Sequence, residues 1–224
     1  MKKQTKIGVI VALVVVLVGA VFIGQSEFMK GSLRDLFIKK AIQTPQITLP
    51  GDEEPGIGIA QGGNLTVYIS DLSPNEQDVT MGETGVVYTC IDLITPSVLP
   101  VRIDSIDWHR YHTGDANDFE KVYMYEITGD SLDDYELIGN ETTISRDDNF
   151  AKVDDLNLVI QLNTAKTVCV VADMSESGIY GNQNGFDISS DDVFESNAND
   201  ILLLDEDNDE TRGPIKGELV KIVP

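Results

Sequence analysis

The chain has 224 residues and a formal charge of −22, from 16 basic and 38 acidic side chains. Positions 1–44 hold 7 basic and 2 acidic residues, a net of +5, so the remainder holds 9 and 36, a net of −27. A domain this acidic repels phosphate backbones, which excludes nucleic acid as its partner, and 2 cysteines without a CxxC exclude a cysteine-built zinc site.

Residues 1–6, MKKQTK, form a short basic leader. The next 18 residues, 7–24, carry no charge and are rich in Val, Leu and Ile. At about 1.5 Å per residue, a helix of this length just spans a hydrocarbon core of roughly 30 Å. A cleaved signal peptide has a shorter apolar core and a small-x-small site before the cut. Here Phe22 stands where a small residue is wanted for a cut after Gly24, and a cut after Ala20 falls inside the apolar run. The segment reads as a retained transmembrane helix, giving a single-pass cell-membrane protein with the lipid bilayer as partner of residues 7–24. Its leader stays in the cytoplasm and its acidic domain is extracytoplasmic.

Residues 25–43 set Phe28, Leu33, Leu36, Phe37 and Ile42 near helical spacing, with Lys30, Arg34, Lys39 and Lys40 between them. That pattern predicts a membrane-proximal amphipathic helix. Pro45 and Pro50 end it. Residues 44–63 combine 3 prolines with 5 glycines and read as an extended linker.

From residue 64 the apolar period becomes two. Strands are expected at 64–70, 85–94, 100–111, 119–127, 135–139, 142–145, 156–162, 167–174 and 217–223, separated by turn signals such as SPNEQD, TGDAND, SRDDN and NTAK. Short strands at this spacing predict that 64–224 is mainly β, an immunoglobulin-like antiparallel β-sandwich. Alternation assigns Val87, Thr89, Ile91 and Leu93 to one face, with Leu156, Leu158, Ile160 and Leu162, and Val168, Val170 and Ala172, on the inward faces of later strands. In 100–111 the phase changes between Ile103 and Ile106, which predicts a bulge near Asp104 and Ser105.

Cys90 and Cys169 take the opposite parity to the apolar set. Two readings stay open for them: a disulfide closing a long loop, or two separate half-buried thiols. Asp205, Asp207 and Asp209 have calcium-loop spacing, but Glu210 replaces the needed Gly and Lys216 the bidentate Glu. The run reads as an acidic loop, with weak calcium binding there, or among Asp187, Asp191 and Asp192, as the alternative. No other cofactor is indicated. His109 and His112 are three apart on a strand, on opposite faces, and make poor co-ligands. Asn64 and Asn140 begin Asn-x-Thr triplets. No phosphate loop, GxSxG or HExxH occurs, so no catalytic constellation stands out.

The stretches GETGVVYTCIDL, LPVRIDSIDWHR, FEKVYMYE and LNLVIQLNTAKTVCVVADMSE resemble an immunoglobulin-like β-sandwich domain found in surface proteins of uncultivated, small-genome bacteria. The resemblance spans roughly residues 64–175 and implies a fold and a surface location. Such proteins carry arrays of the domain, whereas this chain has one copy. A looser resemblance is to type IV pilin-like proteins, in the basic leader that ends at Gly8, where prepilin-type cleavage would fall; Leu13 stands where major pilins keep a Glu. The expected function is structural, adhesive or binding work at the cell surface without catalysis, with other surface proteins or further copies as partners. The alternatives are a pilin-like filament subunit and, from another class, a surface hydrolase acting on glycan or peptide.

Overall fold

β-Branched and aromatic residues at alternate positions fit a pleated, half-buried surface, and they drive this chain into strands. The computed structural model describes residues 61–205, 209–211 and 214–224. Residues 1–60, which hold Gly8, the apolar segment 7–24 and the amphipathic segment 25–43, lie outside the described residues. Among those described, no helix is long and apolar enough to cross a membrane.

In chain order the strands are β1 (Asn64–Ile69), β2 (Gln77–Thr80), β3 (Val86–Ile94), β4 (Val101–Tyr111), β5 (Phe119–Ile127), β6 (Tyr135–Thr142), β7 (Phe150–Val153) and β8 (Leu158–Ile160). There follow β9 (Ala165–Met174), β10 (Gln183–Ile188), β11 (Phe194–Ser196), β12 (Asp200–Leu204), β13 (Glu210–Thr211), β14 (Ile215–Lys216) and β15 (Val220–Val223). They form two sheets. The first runs β13-β12-β1-β3-β9-β5-β6, and the second β11-β4-β10-β15-β2, with β7 and β8 also on β4 and β14 on β10.

The inner faces of both sheets share one core. Leu65, Val67, Tyr88, Ile91, Val122, Met124, Val168 and Val170 of the first sheet meet Ile103, Ile106, Trp108, Phe186 and Ile188 of the second. Tyr88 and Phe186 cross edge to face at 5.1 Å, a favoured geometry for aromatic pairs. The Thr89 hydroxyl donates to the Phe186 carbonyl across the sheets at 2.9 Å, and the Trp108 indole N–H points at the Met124 sulfur at 3.3 Å.

β4 keeps Val101, Ile103, Ile106 and Trp108 all fully buried although their parity changes. The device is a bulge: Glu195 faces Ser105 and the next partner pair is Ser196 with Ile103, so Asp104 is the extra residue. A second bulge corrects the expected face of 85–94. The register skips Tyr88, so Tyr88 and Thr89 both turn inward and Val87 turns to the outer face, away from Ile91 and Leu93.

Other expectations also need correction. The pairing is not wholly antiparallel, because β1 runs parallel to β12 and β2 parallel to β15. Residues 143–145 form no strand. The strand expected at 156–162 shrinks to three residues because Asn157 (φ 46°) and Asn163 (φ 54°) adopt left-handed conformations on either side of it. Leu162 is therefore 41% exposed, while Leu156, Leu158 and Ile160 are buried.

One end of the core is closed by a buried polar cluster. The Asp118 carboxylate accepts from the backbone N–H groups of Asp115 (2.9 Å) and Ile179 (3.1 Å) and from the side-chain amides of Asn182 (2.9 Å) and Asn184 (3.1 Å). Arg110 donates to the Gly114 carbonyl (2.6 Å) and to the side-chain oxygens of Asn149 (2.7 Å) and Asn184 (3.3 Å). The Asp118 carboxylate and both terminal nitrogens of Arg110 are thereby hydrogen-bonded, which offsets much of their desolvation, while Arg110 Nε is buried without a hydrogen-bond partner among the described residues.

Trp108→Ala empties the centre of this core. It is expected to lower the urea-unfolding free energy by about 3–5 kcal/mol. A loss under about 1 kcal/mol would show that the indole is not packed as described.

Candidate functional site

The central strands of the first sheet are apolar on their outer face as well. Cys90 of β3 lies directly opposite Cys169 of β9 with Cα atoms 4.0 Å apart, and a disulfide joins them. Both cysteines are fully buried, because their outward parity is covered rather than solvated. Tyr123, Ile127 and Val171 pack around the bridge, with Leu72, Val87, Tyr125 and Leu132 against them.

Tyrosines dominate the rim of this patch. On β5, Val122 and Met124 enter the core, so Tyr123 and Tyr125 project outward. The β5–β6 hairpin pairs Ile127 with Tyr135, which brings the Tyr135 ring onto Tyr125 in a stack with centroids 4.0 Å apart and planes 22° apart. Tyr123 meets Tyr125 edge to face at 5.5 Å. Tyr135 itself is 50% exposed.

These three rings border a recess of about 710 Å³, with Val87 and Leu132 as its apolar lining and Asp133, Asp173, Thr84 and Gly85 supplying polar groups. Asp173 is held in place: its Oδ1 accepts from the Tyr123 hydroxyl at 2.8 Å and from the Gly85 N–H at 2.9 Å. Gly85 sits at φ 72°, a conformation open to glycine without strain. Among the described residues no Lys, Arg or His lines the recess itself, but Lys121 pairs with Asp173 in the β5–β9 register and forms an ion pair with Glu141 at 2.9 Å. Burial pushes the Tyr123 phenol above its usual range, and its hydrogen bond to Asp173 pushes further in the same direction. Tyr125 is raised too, chiefly by burial. The arrangement offers flat aromatic surface and fixed acceptors, which suits holding a small ligand.

The remaining expected sites fall elsewhere. Asp205 and Asp209 face each other across the β12–β13 hairpin, where the Asp209 N–H donates to Asp205 Oδ1 at 3.0 Å, while Asp207 lies outside the described residues. Asp187 is buried on β10 and contacts His109 Nδ1 at 3.1 Å; Asp191 and Asp192 are exposed in a 3₁₀ turn. Burial pushes the Asp187 carboxyl up, opposed by His109 and Lys216. Among the described residues, no group of three or more His, Cys, Asp or Glu side chains could hold a metal ion. His112 has left β4 for a turn at φ 81°, so it does not join His109. Asn64 and Asn140 are exposed, Asn140 donating to Asp155 at 2.6 Å.

The tyrosine recess was not among the expected sites. Its signal was the alternation VYMYE, in which two tyrosines share the face opposite Val122 and Met124.

No family model matches the chain, and no curated protein matches it. Among solved structures, a family 123 glycoside hydrolase from Clostridium perfringens aligns over 71% of this chain at 10% identity with a TM-score of 0.36. The alignment covers 27% of that enzyme, so the chain spans about a quarter of its length. AvmM, which catalyses macrocyclization in alchivemycin A biosynthesis, aligns over 55% of this chain and 69% of its own, at 10% identity and a TM-score of 0.28. Likenesses this distant carry no inference about activity.

Tyr88, Tyr111 and Tyr123 all hold their protons above the usual value near 10, in each case chiefly through burial, with Tyr111 pushed up to about 12. A folded-state value raised above the unfolded one gives stability that is complete below about pH 10 and lost as pH climbs toward and beyond 12. Ultraviolet titration is expected to show some tyrosines ionising near pH 10 and the rest only as the fold melts at higher pH. A single transition of every tyrosine near pH 10 in the folded protein would contradict the burial of these phenols.

Proposed function

We propose that this chain is a membrane-anchored, extracytoplasmic binding domain, tethered at the cell surface by residues 7–24 and 44–63 and working through the tyrosine recess without chemistry of its own. The observation that carries the reading is the recess: Tyr123 on Tyr125, Tyr125 on Tyr135, and two carboxylates at the same depression, above a fully buried disulfide. Tyr123 is buried over the disulfide and serves its cover, whereas Tyr135 is 50% exposed and Asp133 and Asp173 add polar groups that a cover does not require.

Two further features support it. Disulfides persist in oxidising compartments, which agrees with a domain outside the cytoplasm. The strand order β1-β3-β9-β5 against β4-β10-β15 follows the ABED and CFG arrangement of immunoglobulin-like sandwiches, and Trp108 lies on the strand corresponding to C. The chain departs from antibody domains in its bridge, which joins neighbouring strands of one sheet instead of the two sheets. The filament alternative rests on the leader ending at Gly8 and on the apolar segment and β-rich domain that follow it.

The test is a ligand-observed NMR screen of the full chain against sugars, amino acids, amines and nucleosides. Binders whose signals vanish with Tyr135→Ala and return with Tyr135→Phe are expected. A screen in which no compound depends on Tyr135 would overturn the reading.

A further inference from the structure

We propose that the open edge of β6 docks another protein, which adds an extended segment of alternating apolar and basic residues as a further strand of the first sheet. This goes beyond the recess reading and does not depend on it.

The backbone defines the edge. β6 ends the seven-stranded sheet and pairs with β5 on one side. Ile127 faces Tyr135 in the register, and the Thr128 N–H donates to the Asp134 carbonyl at 2.8 Å. Thr128 and Asp134 are therefore a hydrogen-bonded pair, and such pairs alternate along an antiparallel ladder. Tyr135 opposite Ile127 and Leu137 opposite Tyr125 take the positions between, so their N–H and C=O groups point away from β5. Among the described residues no strand pairs with this edge, and the first backbone contact beyond it is the Asn140 N–H on the Asp154 carbonyl at 2.9 Å. Tyr135 and Leu137 thus present donors and acceptors in a row.

The side chains favour an added strand. Tyr125 stacks on Tyr135 and pairs with Leu137, so both lie on the outer face, 50% and 51% exposed. Apolar side chains of an incoming strand gain cross-strand contact there. Native edges are commonly blunted by Lys or Pro, and the free stretch YELI has neither. At the opposite side of the same sheet, β13 covers β12 at Leu203 and Leu204.

Charge selects the partner. Residues 128–142 hold Asp130, Asp133, Asp134, Glu136 and Glu141 and no Lys, Arg or His. Glu141 is paired with Lys121, while Glu136 stands exposed between Tyr135 and Leu137 with its side chain on the other face. Like charges directly opposite one another are destabilising, so an acidic strand is rejected and a Lys or Arg opposite Glu136 is accepted. A second copy of this chain brings the same acidic edge and −27 beyond residue 44, which opposes self-pairing.

The experiment uses the full chain in detergent and a labelled short peptide alternating valine and lysine, with binding read by fluorescence anisotropy and by hydrogen exchange of the protein. The peptide is expected to bind and to slow exchange of the Tyr135 and Leu137 amides about tenfold or more. Leu137→Pro removes an N–H that points off the sheet, so the variant is expected to stay folded by its melting curve and to bind the peptide about tenfold or more weakly. Leu137 does not line the recess, so any small ligand held there is expected to be unaffected. N-methylation of the peptide needs no variant: blocking one alternate set of its amides is expected to abolish binding, and blocking the other to leave it within about threefold. Binding that survives both methylated peptides, or is matched by a peptide with its valines and lysines in two blocks, would reveal only a general attraction of cations to an acidic domain and overturn the proposal. Absence of peptide binding would overturn it too, whatever the recess screen finds. A chain that dimerises by itself, with the dimer lost in Leu137→Pro, would assign the edge to a second copy and overturn the choice of partner. A failed recess screen with peptide binding intact would overturn the small-ligand reading alone.

Discussion

Two adjacent strands, β3 and β9, are apolar on both faces, and that double demand governs the rest of the molecule. Their inner residues, Ile91, Leu93, Val168 and Val170, are buried against the second sheet. Their outer residues, Cys90, Cys169 and Val171, need a cover, and among the described residues it comes from Leu72, Leu132 and the tyrosines of β5 rather than from a third layer. Tyrosine suits this work because it buries a broad apolar ring and still offers water a hydroxyl. Where the cover thins, between Thr84, Leu132 and Tyr135, the recess appears.

The disulfide and the tyrosine stack reinforce each other. A cross-strand bridge fixes the β3–β9 register, and a bridge closing a long loop contributes about 2–4 kcal/mol by restricting the unfolded chain. A fixed register sets the height of β5, which pairs Tyr125 with Cys169 and Tyr123 with Val171. The rings thus inherit their spacing from backbone pairing, which is what a binding platform requires. Where β5 begins and β9 ends, Asp118 and Arg110 tie the loops around residues 112–118 and 175–184 together through Asn184.

Long strands with apolar alternation over most of their length were legible from sequence: β1, β3, β4, β5 and β9 lie within two residues of their expected bounds. The phase change that betrayed the Asp104 bulge was also visible, because both halves of β4 carry large apolar side chains on either side of it. The Tyr88 bulge was hidden, since Val86, Val87 and Tyr88 are all apolar and fit either face. β2, β7 and β10 to β14 were missed: QDVT and QNGFDI are largely polar, FAKV is only four residues long, and DILLL is an apolar run without alternation. Cysteine parity was read correctly as outward, but the residues covering the bridge, Leu72 and Leu132, come from distant loops. Half of the candidate site was present in the alternation VYMYE; the other half, Tyr135 and Asp173, depended on strand register, which composition does not encode.

If the outer face of the first sheet is a built surface, its strands must be as closed as the core itself. Native-state hydrogen exchange on the full chain measures this directly, amide by amide. The expected result is that amides of β3, β5 and β9 exchange with the slowest class in the molecule, opening only with global unfolding. Exchange of β5 and β9 through local openings, several kcal/mol below the global value, would mean that the cover over the disulfide is loose and that the tyrosine platform is not a preformed site.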